Sequence, residues 1–327
     1  MARSFERSLA ALTRHAVASG ARAMRRAMAS SRHKPAALRA EAGDWLPGLA
    51  IGARGLRRFR LYRPPGLVGD ERLPLLVMLH GCGQDAASFA AGTRMNLLAR
   101  RERFMVLYPE QDRLANAQGC WNWFDTASGR AHGEADLIMK AIEQVCLLHP
   151  VDRSRIAIAG LSAGASIAAL LVARQPERFK ALAMHSGIPP GTAHSGLSAL
   201  GAMHGRRATR RLPATAAVMA AGWPPLLAIH GDADRVVSLH NSQAAVELWA
   251  QAAGARASPA RRVQRGQRYP NTVTDFKHRG TTVARLVEVA GLAHAWSGGA
   301  ARQPHCDSRG PDASRMVWAF VVDQFGA

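Results

Sequence analysis

The chain predicts an α/β fold: one mostly parallel central sheet with helices on both faces. Three observations carry this. Short, wholly apolar runs such as Leu75-Leu76-Val77-Met78-Leu79 recur along the chain, as strands buried on both sides do. Helix-patterned stretches separate these runs, and strand–helix alternation is how parallel sheets are wound. The length of 327 residues, 48% of them hydrophobic, is enough to bury a large core in one domain.

Taken in order, residues 1–40 read as an appendage to a body spanning 41–327. Nine basic residues and one acid, Glu6, give this segment a charge of +8. Phe5, Leu9, Leu12 and Ala16 recur at helical spacing, with Arg3, Arg7 and Arg14 elsewhere around the helix. That pattern predicts a basic amphipathic helix lying on an interface, with an unordered tail as the alternative. In the body, strands are predicted at 56–62, 75–79, 104–108, 156–159, 181–184 and 226–229. A more alternating strand near the sheet edge is predicted at 282–289. Helices are predicted at 86–101, 134–148, 163–174, 239–253 and 312–325. About forty residues rich in Gly, Pro, Ala and Arg separate Met184 from Leu226. A connection this long predicts a cap on the substrate side, over the C-terminal ends of the strands.

Composition bounds the partners. The net charge of +20 favours anionic surfaces, or else reflects arginine usage with no specific partner. No apolar run approaches the ~20 residues of a membrane span. No secretory apolar core is present, so a cytoplasmic or particle-associated protein is expected. Four cysteines do not make a disulfide scaffold, and they allow three full pairings.

The most informative motif is Gly160-Leu161-Ser162-Ala163-Gly164. A strand precedes it and a helix follows it, which is the setting of a nucleophile elbow. Ser162 is the candidate nucleophile. An acid and a base should follow in that order. The turn after the 226–229 strand supplies Asp234, with Asp232 as competitor. The Gly-flanked loop after the last strand supplies His294, with His305 as fallback. The turn His80-Gly81-Cys82-Gly83-Gln84 follows the 75–79 strand. It predicts an oxyanion hole formed by the backbone N–H groups of Cys82 and Ala163. Trp121, Trp123 and Trp296 sit beside these motifs as candidate substrate-lining rings, with burial in the core as the competing role. Acyl transfer of this kind needs no metal or organic cofactor.

These segments resemble the poly(3-hydroxyalkanoate) depolymerase-type esterases, which have the α/β-hydrolase fold. The resemblance runs from about Gly55 to the C-terminus. Besides the elbow it is carried by His80–Gln84, by Gly119-Cys120-Trp121-Asn122-Trp123-Phe124, by Gly291-Leu292-Ala293-His294-Ala295-Trp296-Ser297-Gly298-Gly299 and by Gly310-Pro311-Asp312-Ala313-Ser314. It implies a serine esterase acting on poly- or oligo(3-hydroxybutyrate), with Ser162, Asp234 and His294 as triad and Cys82 at the oxyanion hole. It also implies a Cys82–Cys120 disulfide, the two remaining free thiols in a reducing cytosol. The related feruloyl and acetyl-xylan esterases make carbohydrate esters the alternative substrate, and secreted members make an extracellular location the alternative compartment. Residues 1–40 are then expected to dock on a polyester granule. A different class stays open: a non-catalytic protein that binds an anionic particle or nucleic acid. An intact Ser…Asp…His set argues against that class, and no specific nucleic acid is expected.

Overall fold

The computed structural model describes residues 43–207 and 222–326. The expected N-terminal helix and part of the 185–225 connection therefore lie outside the described residues. Among those described, no helix is long and apolar enough to cross a membrane.

The chain opens with an antiparallel hairpin of β1 (Asp44–Gly52) and β2 (Gly55–Arg63). Then come β3 (Leu73–Leu79), α1 (Ala86–Thr93), α2 (Met95–Glu102), β4 (Met105–Pro109), α3 (Arg130–Leu148), β5 (Val151–Leu161), α4 (Ala163–Arg174) and β6 (Ala181–His185). The rest comprises α5 (Gly196–Met203), β7 (Leu226–Gly231), α6 (His240–Ala253), β8 (Arg256–Ala257), β9 (Arg261–Val263), β10 (Asn271–His278), β11 (Thr281–Val289), β12 (Trp296–Ser297), β13 (Cys306–Asp307) and α7 (Ala313–Phe325). An 11-stranded sheet runs β1-β2-β4-β3-β5-β6-β7-β11-β10-β8, and β9 pairs with β10. Its centre, from β4 to β11, is parallel, while the two flanks are antiparallel.

Strand periodicity sorts the core into two layers. Leu75, Val77 and Leu79 of β3 join one cluster with α3, α4 and α6 side chains such as Ile138, Ile167 and Trp249. Leu76 and Met78, pointing the other way, join Phe89, Leu98 and Trp318 of α1, α2 and α7. Helices thus cover both faces, which is why the central strands carry almost no polar residues.

The differences from expectation have local causes. The predicted 86–101 helix is two helices, because Arg94 adopts a left-handed backbone (φ 56°) that ends α1 and starts α2. From that corner its guanidinium reaches the Gly298 carbonyl at 2.6 Å. Strand β1 contains Pro47 and Gly48, residues that an outermost strand tolerates. The 282–289 strand is one removed from the edge, since β10 pairs outside it. The long connection contains α5. Ile188, Ala193, Ala199, Ala202 and Val237 form a small separate cluster with Trp123, Phe124 and Met203 packed against it.

Candidate active site

Strand β5 ends in the elbow. Ser162 takes φ 55° and ψ −119°, a conformation non-glycine residues rarely hold, and this turns its side chain away from the sheet. Its N–H is spent on the His185 carbonyl at 2.8 Å. The tight turn presses α4 onto the end of β3. A Cβ on Gly164 would lie 2.2 Å from the Leu79 carbonyl oxygen and 2.5 Å from that of His80. That position excludes any larger residue. The elbow and the turn after β3 are therefore locked together by main chain alone.

The structure brings the three sequence-predicted side chains into one line. His294 Nε2 lies 2.9 Å from Ser162 Oγ, and His294 Nδ1 lies 2.6 Å from Asp234 Oδ2. Asp234 Oδ1 accepts the Val236 and Val237 N–H groups, each at 2.9 Å. Burial raises the pKa of this carboxyl, but bonds from His230 and His294 and the N–H of Val237 more than offset it, holding it well below the usual carboxylate range. Asp234 is therefore an anion with its orientation fixed on both oxygens. Asp232, the competing acid, instead accepts the Gly291 N–H at 2.7 Å and pins the base of the loop that delivers His294. That loop passes so close to β7 that a Cβ on Gly231 would lie 1.9 Å from the Leu292 carbonyl oxygen. The fallback base, His305, touches the loop through its carbonyl, which accepts the Trp296 N–H at 2.7 Å.

The segments that carry the expected oxyanion donors follow β3 and β5, which are neighbours in the sheet. Ala163 opens α4, where helix N–H groups lack internal partners. The turn bearing Cys82 is held by Gln84 Oε1, which accepts the Gly81 N–H at 2.9 Å. Gly83 N–H donates to the Gln118 carbonyl at 3.0 Å. Cys82 and Cys120 are joined in a disulfide that ties the turn to the segment after β4. Cys146 and Cys306 are free.

Two of the three tryptophans do not line a substrate surface. Trp121 is 0% exposed and Trp296 1%. The Trp121 indole donates to the His80 carbonyl at 2.9 Å, and the Arg57 guanidinium lies 5.0 Å from its ring centroid. Trp121 is thus a bracket behind the oxyanion turn. Trp296 stacks on His185 at 5.1 Å and donates to Ser314 Oγ at 3.1 Å. It anchors the segment just after His294. Their size and flatness suit burial as well as ligand contact, so neighbouring motifs alone could not separate the two roles. Trp123 is half-buried beside Phe124, edge to face at 5.6 Å, and remains available to a ligand.

Sequence reasoning missed a set of buried polar residues behind the site. His230 Nε2 lies 2.9 Å from the Val237 carbonyl and 3.3 Å from Asp234 Oδ2, while its Nδ1 lies 2.6 Å from Ser242 Oγ. The carbonyl accepts only, so Nε2 carries the proton and is turned toward the Asp234 carboxylate. His80 Nε2 accepts the Gln111 N–H at 3.0 Å, and burial pushes its pKa down to about 4. His185 Nε2 accepts the Ser297 N–H at 3.1 Å, and burial together with nearby His230 and His294 pushes it down to about 3. Glu134 takes the Asn122 N–H at 2.9 Å and the Gln111 amide at 2.7 Å, fixing the segment between β4 and α3. The signal available in sequence was a histidine at the C-terminal end of three apolar strands: β3, β6 and β7.

This arrangement places a hydroxyl, an imidazole and a carboxylate in hydrogen-bonded series. It is suited to attack on a carbonyl carbon. Comparison with known proteins agrees. The chain is 30% identical over 246 residues to poly(3-hydroxyalkanoate) depolymerase C of Paucimonas lemoignei, covering 71% of this chain and 56% of that protein. It is 33% identical over 116 residues to feruloyl esterase B of Neurospora crassa, covering 35% of this chain and 39% of that one. The matches thus span about half the length of these relatives. Among solved structures, an acetyl xylan esterase from Aspergillus awamori superposes with a TM-score of 0.59 at 18% identity, covering 77% of this chain and 94% of that one, which shows the shared α/β-hydrolase fold. The family model described as esterase PHB depolymerase matches residues 57–268, and the chain belongs to that family.

Proposed function

We propose that this protein is a serine esterase hydrolysing the ester bonds of poly- or oligo(3-hydroxybutyrate)-type polyester through an acyl-enzyme. The observation that carries the proposal is the continuous series Ser162 Oγ–His294–Asp234, with separations of 2.9 and 2.6 Å. His294 takes the Ser162 proton as Oγ attacks the ester carbonyl. Asp234 holds the imidazole in the tautomer whose Nε2 is free to accept that proton, and stabilises the cation that forms. The tetrahedral oxyanion is received by the N–H groups of Cys82 and Ala163. The imidazolium then protonates the leaving alcohol. Water, deprotonated by His294, releases the carboxylic acid from Ser162.

The half-buried pair Trp123 and Phe124, packed against the cluster that includes α5 and Val237, favours a second reading. A phenolic acyl group would stack there, as in a feruloyl- or acetyl-xylan-type carbohydrate esterase. Residues 1–40 form a separate segment in this proposal and dock the enzyme on a granule. Deleting them should spare soluble esters and slow attack on particles, most at low salt.

The test is a panel of p-nitrophenyl butyrate, hydroxybutyrate oligomers, amorphous polyhydroxybutyrate, methyl ferulate and acetylated xylan, run with the wild-type protein and Ser162→Ala. Turnover of the hydroxybutyrate substrates that disappears in Ser162→Ala is the expected result. Preference for methyl ferulate or xylan selects the second reading. No turnover of any ester overturns both.

A further inference from the structure

On the face covered by α1, α2 and α7, the sheet extends past its helices. Strands β10 and β11 leave a cleft of about 840 Å³ between the sheet and α7. Leu227, Val273 and Val287 lie buried beneath it, and Leu97, Val263, Met316 and Ala319 supply its exposed apolar surface. Its volume is that of a small-molecule site. The cleft shares none of the residues of the Ser162 site.

Its polar lining is almost all of one sign. Arg94 and Arg101 enter from α2 and the corner before it, and Arg261, Arg265 and Arg268 from β9 and the turn after it. Arg285 rises from β11 and Arg315 from α7. Only Asp312 and Asp323 oppose them in the lining. Asp275, just outside, is shared by two of these cations, accepting from Arg261 at 2.7 Å and Arg285 at 2.5 Å. Arg94 and Arg268 are held by the carbonyls of Gly298 and Gly310, which fix a guanidinium without cancelling its charge. Arg315 is 3.5 Å from Asp312, a loose pair, and among the described residues Arg265 has no side-chain partner. Arg101 is paired with Glu102 at 2.7 Å. Seven arginines thus face one half-open cleft with four carboxylates in or beside it, Glu102, Asp275, Asp312 and Asp323.

We propose that this cleft binds an organic polyphosphate of nucleotide size, its phosphoryl groups on the arginines and its flatter body on the apolar surface of Val263, Met316 and Ala319. A guanidinium meets a phosphoryl oxygen pair with two parallel N–H bonds. One phosphoryl group carries more negative charge than a carboxylate and three acceptor oxygens, so a polyphosphate matches this many arginines where a monocarboxylate would not. A cleft of this volume takes one soluble molecule, whereas a membrane or a nucleic acid duplex would need a flat, extended surface.

The test is calorimetric titration of the full-length protein at 0.15 M salt with ATP and, separately, with tripolyphosphate. Vesicles containing phosphatidic acid and a DNA duplex serve as further arms. The expected result is saturable one-to-one binding of ATP. Arg265→Gln with Arg315→Gln, and separately Ala319→Glu, should weaken it at least tenfold. Arg58→Gln with Arg60→Gln, on β2 far across the sheet, should leave it within twofold. All of these side chains are exposed or half-exposed, and melting curves establish that each variant is folded. Tripolyphosphate should bind about tenfold more weakly, since it has no body to cover the exposed apolar surface of Val263, Met316 and Ala319. Equal losses in the cleft and β2 variants would reduce the binding to general attraction by a +20 chain and overturn the proposal. Binding of vesicles or DNA without saturable binding of ATP would do the same, as would a tripolyphosphate affinity equal to that of ATP.

Discussion

Asp234 is where the two imidazoles of the site converge, and it separates orientation from simple proximity. Asp232 and Asp234 both lie within bonding distance of the His294 loop, yet only Asp234 touches the ring. Asp234→Asn should lower kcat about 10⁴-fold by favouring the wrong imidazole tautomer. Asp232→Asn, which still offers Gly291 an acceptor, should cost less than tenfold. Steady-state kinetics on p-nitrophenyl butyrate decides, and the reverse ranking in folded variants would reassign the acid. His230 is a positioning residue in this scheme. Replacing it with Ala should lower kcat roughly tenfold, about 1.4 kcal/mol in the barrier, with KM unchanged. The acid limb of the pH–rate profile should shift as well, because one donor to Asp234 is gone. A lower melting temperature with kcat and the limb intact would make His230 merely structural. Chain order narrowed the candidates to Ser162, Asp234 or Asp232, and His294 or His305, since each follows a recognisable strand; which carboxylate touches the ring only the fold shows. His230 was hidden because its role depends on Val237 and Ser242, residues of ordinary type whose approach only the fold creates.

Among the elements, the turn after β3 is held from several sides, and the Cys82–Cys120 bridge is one of them. It closes a span of 38 residues containing α1, α2 and β4. By loop-closure entropy such a cross-link is worth about 4 kcal/mol. In the proposed oxyanion hole Cys82 donates through its backbone N–H, so its sulfur should be dispensable for chemistry. Cys82→Ser with Cys120→Ser should therefore unfold at clearly lower urea while keeping kcat within about tenfold. A thousandfold loss of kcat in a folded double variant would show that the bridge, and not Gln84 and Trp121, sets the turn. The inner parallel strands were legible because burial on both faces leaves them no polar positions. Toward the edges β2 and β11 were legible too, but β1, β8, β9 and β10 were not. Strand β10 carries a buried Asp275, whose two arginine partners lie on β9 and β11, and β1 is interrupted by Pro47 and Gly48. Arg94 offers no Gly or Pro to announce the break between α1 and α2.

For the whole molecule, histidines buried in the neutral state make stability depend on pH. His80 and His185 have folded pKa values of about 4 and about 3, against an ordinary 6.5. The unfolded chain therefore binds more protons between those limits, and protonation favours unfolding. Stability should be full above about pH 6.5 and should fall as the pH drops from there toward about 4. Each histidine costs roughly 1.4 kcal/mol per pH unit well inside that window. Urea unfolding at pH 7.5 and pH 5 measures this, and equal midpoints would contradict it. The small cluster around Ile188, Ala199 and Ala202 has a further consequence, one of engineering. It meets the reacting groups at Val237, whose side chain fills the cluster while its N–H holds Asp234. Two further ties reach the catalytic framework: Ile188 N–H donates to Ser166 Oγ at 2.9 Å, and Asn241 Nδ2 donates to the Ala202 carbonyl at 2.9 Å. The 188–203 segment is therefore a cartridge with three seams. Grafting a different cartridge there, with Val237, Ser166 and Asn241 kept, should retune what the site accepts without rebuilding how it cuts.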